Sequence, residues 1–217
     1  VTVRKPKGLF LTFEGPDGSG KTTQAKLLAA EFRRRGRKVV LTREPGGTAI
    51  GDKIRELILD PSNAEMKSLS ELLLYAAGRA QHVEQLIRPA LRRGAVVISD
   101  RFADASWAYQ GAGRGLHKPT IERLNALATG GLVPDATILL SAPAEIGLTR
   151  ARRKKGMSRG GGDRLERESV AFHRRVAAGY RLLSRKFPRR FIVFPDGLTI
   201  RETSRRILEA LQRRRIL

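Results

Sequence analysis

Strand-like and helix-like patterns alternate along this 217-residue chain. That alternation predicts an α/β fold with three layers, α/β/α, built on a five-stranded, mostly parallel sheet. Two further observations agree. Each strand candidate is a short apolar run bounded by Gly, Pro or charge, as buried parallel strands are. A glycine-rich run joins the first strand candidate to the first helix candidate, where an open α/β sheet carries ligands.

The strands are expected at Leu9–Glu14, Lys38–Thr42, Ala95–Ser99, Ala136–Ser141 and Arg190–Phe194. Helical spacing fills the intervals: Lys21–Arg35, Ile50–Leu59, Leu69–Arg93, Thr120–Ala128, Pro143–Lys154, Arg167–Lys186 and Thr199–Arg213. Gly36 and Gly94 stop two of these helices, and Pro143 can open another. The stretch "RRKKGMSRGGGDR", Arg152 to Arg164, is glycine-rich and basic between regular segments and reads as a mobile loop. The length predicts one domain over residues 1–217.

Composition narrows the classes. At 41% apolar residues the chain can bury a core, and no apolar run approaches the roughly 18 residues that a membrane helix needs. The first residues carry no long apolar segment of the secretory kind, so a cytoplasmic location is expected. Without cysteine there is no disulfide or thiolate chemistry, and three histidines remain for imidazole work. The net charge of +22 would by itself suggest polyanions. The cations are spread in runs such as Arg33–Arg35, Arg189-Arg190 and Arg213–Arg215, which read as solvated helix ends. No aromatic-basic module stands out, so nucleic acid is not the expected partner.

Gly15-Pro16-Asp17-Gly18-Ser19-Gly20-Lys21-Thr22 fits the P-loop spacing, between a strand and a helix, and so points to a P-loop NTPase fold. Glycines let the main chain wrap its N–H groups around phosphate oxygens, and the helix start adds a positive dipole end. Lys21 brings a charge to the β- and γ-phosphates, and the Thr22 hydroxyl can ligate Mg²⁺. ATP or GTP is the implied nucleotide. No N-K-x-D guanine reader follows.

The third strand ends in Asp100-Arg101, an acid able to hold metal beside a guanidinium able to grip a second phosphate. The second ends in "LTREPGGT", whose turn faces the same sheet edge. Tyr75 and Arg79 stand four apart and share a helix face, so a ring and a guanidinium can meet one nucleobase, although such pairs also occur as ordinary core and rim. Ser106, Tyr109 and Gln110 lie just beyond Arg101.

With "GPDGSGKTT", "TREPGGT", "YAAGRAQHV", "DRFADASWAYQGAGRG", "PDATILL" and "DRLERE", the chain resembles the bacterial thymidylate kinases over nearly its whole length. The resemblance implies transfer of the ATP γ-phosphate to dTMP, giving dTDP on the way to dTTP, with Mg²⁺ and in a homodimer. ATP-binding residues would be Gly15, Pro16, Asp17, Gly18, Ser19, Gly20, Lys21, Thr22 and Thr23, with Arg150 over the adenine. Asp17 would lie near the acceptor's 3′-hydroxyl and Arg101 would hold the acceptor phosphate. Tyr75 would stack on thymine, Arg79 and Gln110 would read its edge, and Tyr109 would crowd the sugar's 2′ position. Arg43, Glu44, Arg55 and Ser106 would line the monophosphate side. Metal would be held by Thr22 and Asp100, with Glu166 helping.

Gly18 stands where one branch of the family has a basic residue, so the chain resembles the branch whose catalytic arginine comes from a closing lid, about 152–164. Candidates are Arg152, Arg153, Arg159 and Arg164, with Arg164 favoured because it falls in the "DR[LI]E" pattern. Ser141 and Gly78 depart from the family, which commonly has acids there. The rival reading is a P-loop kinase for another nucleoside monophosphate.

Overall fold

The computed structural model describes residues 8–154 and 162–217. Its sheet consists of β1 (Leu9–Glu14), β2 (Val39–Arg43), β3 (Val96–Asp100), β4 (Ala136–Leu140) and β5 (Phe191–Phe194). All neighbours pair parallel, in the order β2-β3-β1-β4-β5. The connection after β1 runs one way along the sheet, to β2, and the connection after β3 runs the other way, to β4, so a crevice opens at the carboxyl ends of β1 and β3. The register sets Phe13 and Arg43 both opposite Asp100, which aligns the strand ends that carry the candidate site.

Alternation along β1 divides the two layers. Leu11 and Phe13 face α1 (Lys21–Arg34) and α9 (Ile200–Arg213), packing with Leu28, Phe32, Ile207 and Leu211. Phe10, Thr12 and Glu14 face the other layer. That layer contains α2 (Ala49–Leu59), α3 (Ser68–His82), α4 (Arg88–Arg92), α5 (Ala103–Ser106), α6 (Lys118–Thr129) and α8 (Val170–Lys186). α7 (Ala144–Lys154) follows β4.

Helix ends follow local chemistry. Gly36, at φ 78°, turns the chain out of α1. Thr48 caps α2 by accepting from the Gly51 N–H, and Ser169 caps α8 through Phe172. Thr199 and Glu202 form a reciprocal capping box on α9. α1, α4, α8 and α9 all carry basic residues in their last turns, which complement the negative dipole ends. Six of the 43 lysines and arginines stand in those last turns, whereas Arg190, in a run expected to be a solvated helix end, is half-buried and donates to Asp104 at 2.8 Å.

Two expectations are corrected. The helix expected over Leu69–Arg93 is α3 and α4 joined by a π-helical turn, Val83–Ile87. Pro89 has no N–H for the Gln85 carbonyl and its ring would press on that group, so the turn widens and the Arg88 N–H reaches back to Val83 instead. The stretch after Arg101, for which no helix was expected, is α5 followed by a second π-helical turn, Trp107–Gly113. Its glycines hide the helical pattern.

Glu14 ends β1 with its side chain inside the fold and no exposed surface. It accepts the Phe102 N–H at 2.7 Å and the Tyr180 hydroxyl at 2.8 Å. Burial, with the charge of Asp104 nearby, pushes its carboxyl up from 4.5 to about 8. A raised acid binds a proton in the folded state that the unfolded chain has already released, so its stabilising effect is complete below about pH 4.5 and lost as pH rises toward 8. Glu14→Gln should therefore lose less thermal stability than the parent between pH 6 and pH 8.5 in calorimetry. Equal losses would count against the buried-acid account.

Candidate active site

The phosphate loop leaves β1 at Gly15 and enters α1 at Gly20, with φ of 138° and 93° at those two glycines. At Gly18, φ is 69° and a Cβ would run into the carbonyl of Gly147 on α7. A Cβ at Gly147 would in turn strike the carbonyl of Asp17. The loop and α7 thus meet glycine to glycine, and no basic side chain fits at position 18 while α7 lies there.

Lys21 is buried, with its Nζ donating to the Pro16 carbonyl at 2.6 Å. Burial, reinforced by the charge of Arg101, lowers its amine from 10.5 to about 8. Asp17 accepts from Arg101 Nη2 at 2.5 Å and from the Tyr109 hydroxyl at 2.8 Å. Burial alone would raise that carboxyl; the charges of Arg101 and Lys21 outweigh it and hold the acid well below the usual range. Arg101 also donates from Nη1 to the Gly15 carbonyl at 2.8 Å. Its φ of 74° is a left-handed backbone that a non-glycine residue adopts only when its surroundings impose it.

Thr22 donates its hydroxyl to Asp100 Oδ2 at 2.5 Å. Among the described residues no three acids, histidines or cysteines gather into a metal cage. One hydroxyl and one carboxylate at the mouth of a phosphate loop nevertheless suit Mg²⁺, a hard ion that takes few protein oxygens and completes its shell with phosphate and water. Glu166 and Asp163 line the same cleft, whose volume is about 670 Å³.

A second hollow adjoins that cleft, lined by Tyr75, Arg79, Tyr109, Gln110 and Leu165. Asp17, Glu44, Arg55, Arg101 and Asp163 line both. Tyr75, Arg79 and His82 fall on one face of α3, as their spacing requires. Arg79 donates to Glu44 at 2.8 Å, Ser106 at 3.0 Å, Asn125 at 2.7 Å and the Phe102 carbonyl at 3.2 Å. These bonds leave one of its N–H groups for a ligand. Ser106 does not line the hollow; it sits behind Arg79 and orients it. Arg43 pairs with Asp52 at the rim, and Arg55 donates to the Pro45 carbonyl at 3.0 Å. Thr23 and Arg150 line the large cleft, with Arg150 held to Asp196 at 2.6 Å.

Arg164 is the exception. Asp163 Oδ1 receives the N–H groups of Leu165 and Glu166, a turn that points Asp163 and Glu166 at the cleft and sends Arg164 the other way. The Arg164 guanidinium is buried, donating to the Ile58 carbonyl at 2.8 Å and to Glu71 at 2.5 Å. Burial alone would raise Glu71; bonds from Arg114, Gln110 and Arg164 outweigh it and keep the carboxyl below its usual range. The structure therefore does not bring Arg164 to the phosphate loop. Arg159 and the side chain of Arg152 lie outside the described residues; Arg153, on α7, is exposed.

Comparison with known proteins gives this arrangement a family. The family model described as thymidylate kinase matches residues 13–207. The chain belongs to the thymidylate kinase family. A thymidylate kinase of Citrifermentans bemidjiense is 49% identical over 208 residues, covering 95% of this chain and 92% of the relative. One from Deinococcus radiodurans is 51% identical over 187 residues, covering 86% and 88%. The crystal structure of thymidylate kinase from Ehrlichia chaffeensis superimposes with a TM-score of 0.76 at 35% identity, over 95% of this chain and 99% of that one. As a member of the thymidylate kinase family the chain is an ATP-dependent kinase. Among the described residues no helix is long and apolar enough to cross a membrane.

Sequence reasoning missed Glu14, Glu71, His82 and Tyr180. An acid on the inward face of a buried strand was the available signal for Glu14, and the position of His82 three residues after Arg79 was the signal for that histidine. Glu71 and Tyr180 carry no local signal, because their partners are remote in the chain.

Two outcomes are expected. Arg164→Met should lower unfolding free energy in denaturant titrations by about 2–4 kcal/mol, since a buried pair loses its cation while Glu71 keeps Arg114 and Gln110; kcat of the folded fraction should change less than about threefold. ATP affinity, measured without acceptor, should weaken by up to about tenfold between pH 7 and pH 9 as Lys21 loses its proton. A flat profile would show that Lys21 keeps its charge.

Proposed function

We propose that this chain, working as one domain, transfers the γ-phosphate of ATP to dTMP in the cleft between the two hollows. The observation that supports the reading is that Arg101, Arg55 and Asp17 line both hollows, so two cations stand where donor and acceptor phosphates must meet. ATP lies along Gly15 to Thr23, with Lys21 at its terminal phosphates and Arg150 on the adenine side. The acceptor enters the second hollow: Tyr75 stacks on the base, Arg79 and Gln110 read its edge, and Tyr109 stands against the sugar's 2′ position. Arg101, with Arg43, Glu44 and Arg55 nearby, lines the path of its phosphate.

Thr22 and Asp100 would hold Mg²⁺, with Glu166 facing them across the cleft. Held by those residues, the ion would supply positive charge against the phosphates. The acceptor oxygen is already ionised at neutral pH, so no general base is required. Asp17, held ionised by Arg101, is suited to positioning and not to proton transfer. Catalysis reduces to aligning two anions and cancelling their repulsion, which Lys21, Arg101 and the loop amides can do. The lid cation falls to Arg152, Arg153 or Arg159, and Arg164 serves as the anchor of the lid's far end. Exclusion of water by lid closure would favour transfer over hydrolysis.

A cytoplasmic homodimer completes the proposal. Exposed Ile50 and Leu57 on α2, with Leu69 and Leu73 on α3, make an apolar surface that a second copy would cover.

A panel of nucleoside monophosphates in an ADP-release assay should give its highest kcat/KM with dTMP; a peak with another acceptor would overturn the assignment. Arg101→Ala should reduce kcat/KM for dTMP by about 10- to 150-fold, the worth of a charge-assisted phosphate bond. Leu69→Glu with Leu73→Glu should shift sedimentation from dimer to monomer.

A further inference from the structure

Arg101 is held on two sides, and only one of them faces the cleft. On the cleft side Nη2 donates to Asp17 at 2.5 Å and to the Tyr109 hydroxyl at 3.1 Å. On the inner side Nη1 donates to the Gly15 carbonyl at 2.8 Å and to the Tyr180 hydroxyl at 3.2 Å. Asp17 and Tyr109 line the second hollow, so an incoming phosphate competes with them for Nη2. Gly15 and Tyr180 line neither hollow, so a phosphate there does not compete for their bonds to Arg101.

The Tyr180 hydroxyl has a single proton, which it gives to Glu14 Oε2 at 2.8 Å. With the proton committed there, the phenol oxygen offers its lone pairs to Arg101. The same carboxyl accepts the Phe102 N–H at 2.7 Å, the peptide immediately after the left-handed Arg101. The Phe13 carbonyl accepts the Arg101 N–H at 2.9 Å, and Ser99 Oγ donates to the Arg101 carbonyl at 2.7 Å. Glu14 thus acts on both the backbone turn and the guanidinium. Glu14 is fully buried and Tyr180 is 1% exposed, so neither can meet a substrate directly.

We infer that Glu14 and Tyr180 are positioning residues for the acceptor phosphate, acting through Arg101 from beneath the phosphate loop. The inference rests on the reading that Arg101 grips that phosphate. It assigns work to two groups that a purely structural account would treat as core.

Steady-state kinetics on three variants tests it. Tyr180→Phe keeps the ring in the core and removes only the hydroxyl. It should raise KM for dTMP by about 3- to 10-fold, the range of one neutral hydrogen bond, with kcat and KM for ATP within about twofold. At pH 9, where the Glu14 carboxyl is ionised and both its oxygens accept, Glu14→Gln should move the same constant in the same direction relative to the parent at that pH, because one amide end cannot accept. The double variant should be no worse than Glu14→Gln alone, since both act on one phenol. A folded Tyr180→Phe with unchanged KM for dTMP overturns the inference, as does a fully additive double variant. Arg101→Lys in the same assays separates the two levels. If it leaves KM for dTMP unchanged, the reading of Arg101 fails and this inference with it. If it raises KM while Tyr180→Phe does not, only the positioning role falls.

Discussion

The ion pair between Arg101 and Asp17, at 2.5 Å, binds the end of β3 to the phosphate loop that follows β1. Those two strands are neighbours in the sheet, and their carboxyl ends are where the ligand crevice must open. A guanidinium set into protein needs partners on every side, because an unpaired buried charge is costly. Asp17, Tyr109, the Gly15 carbonyl and Tyr180 meet that need from three different parts of the chain. Loop shape, the left-handed turn at Arg101 and the packing of α8 on the sheet are therefore linked through one side chain.

The same pair governs the charge logic of the cleft. Asp17 stays ionised because Arg101 and Lys21 stand beside it, and Lys21 is lowered because it is buried near Arg101. Six cations, Lys21, Lys26, Arg43, Arg55, Arg101 and Arg150, line the cleft against five acids, so phosphate would enter among charges that are already largely paired. A reaction whose nucleophile arrives ionised needs no general base there. The overall +22 charge is a different matter: cations in the last turns of α1, α4, α8 and α9 answer helix dipoles at the opposite edge of the sheet from the crevice.

Arg164 shows how local pattern and tertiary placement can part. Its motif resembles a lid motif, yet the turn capped by Asp163 sends its two middle side chains inward and its two outer ones to the cleft. Leu165 enters the core with Ile58 and Leu72, and Arg164 goes with it to Glu71, leaving Asp163 and Glu166 at the cleft. Ser106 parts from expectation more mildly, since it contacts Arg79 in place of the hollow. Asp17, Gly18, Gly20, Lys21, Thr22 and Asp100 line the cleft, and Tyr75, Arg79 and Gln110 line its neighbour.

Strand number and order of elements, the phosphate loop and the shared face of Tyr75 and Arg79 were determined by the sequence alone. These depend on period-2 and period-3.6 patterning and on short-range turn chemistry, which neighbours in the chain specify. The break between α3 and α4 lay within reach of the sequence too, since Pro89 imposes it. What only the tertiary structure decided is which remote groups share a charge: Glu14 with Tyr180, 166 residues apart, and Glu71 with Arg164, 93 apart. Burial and ion pairing act through space, and no spacing along the chain records which side of a turn a guanidinium will take.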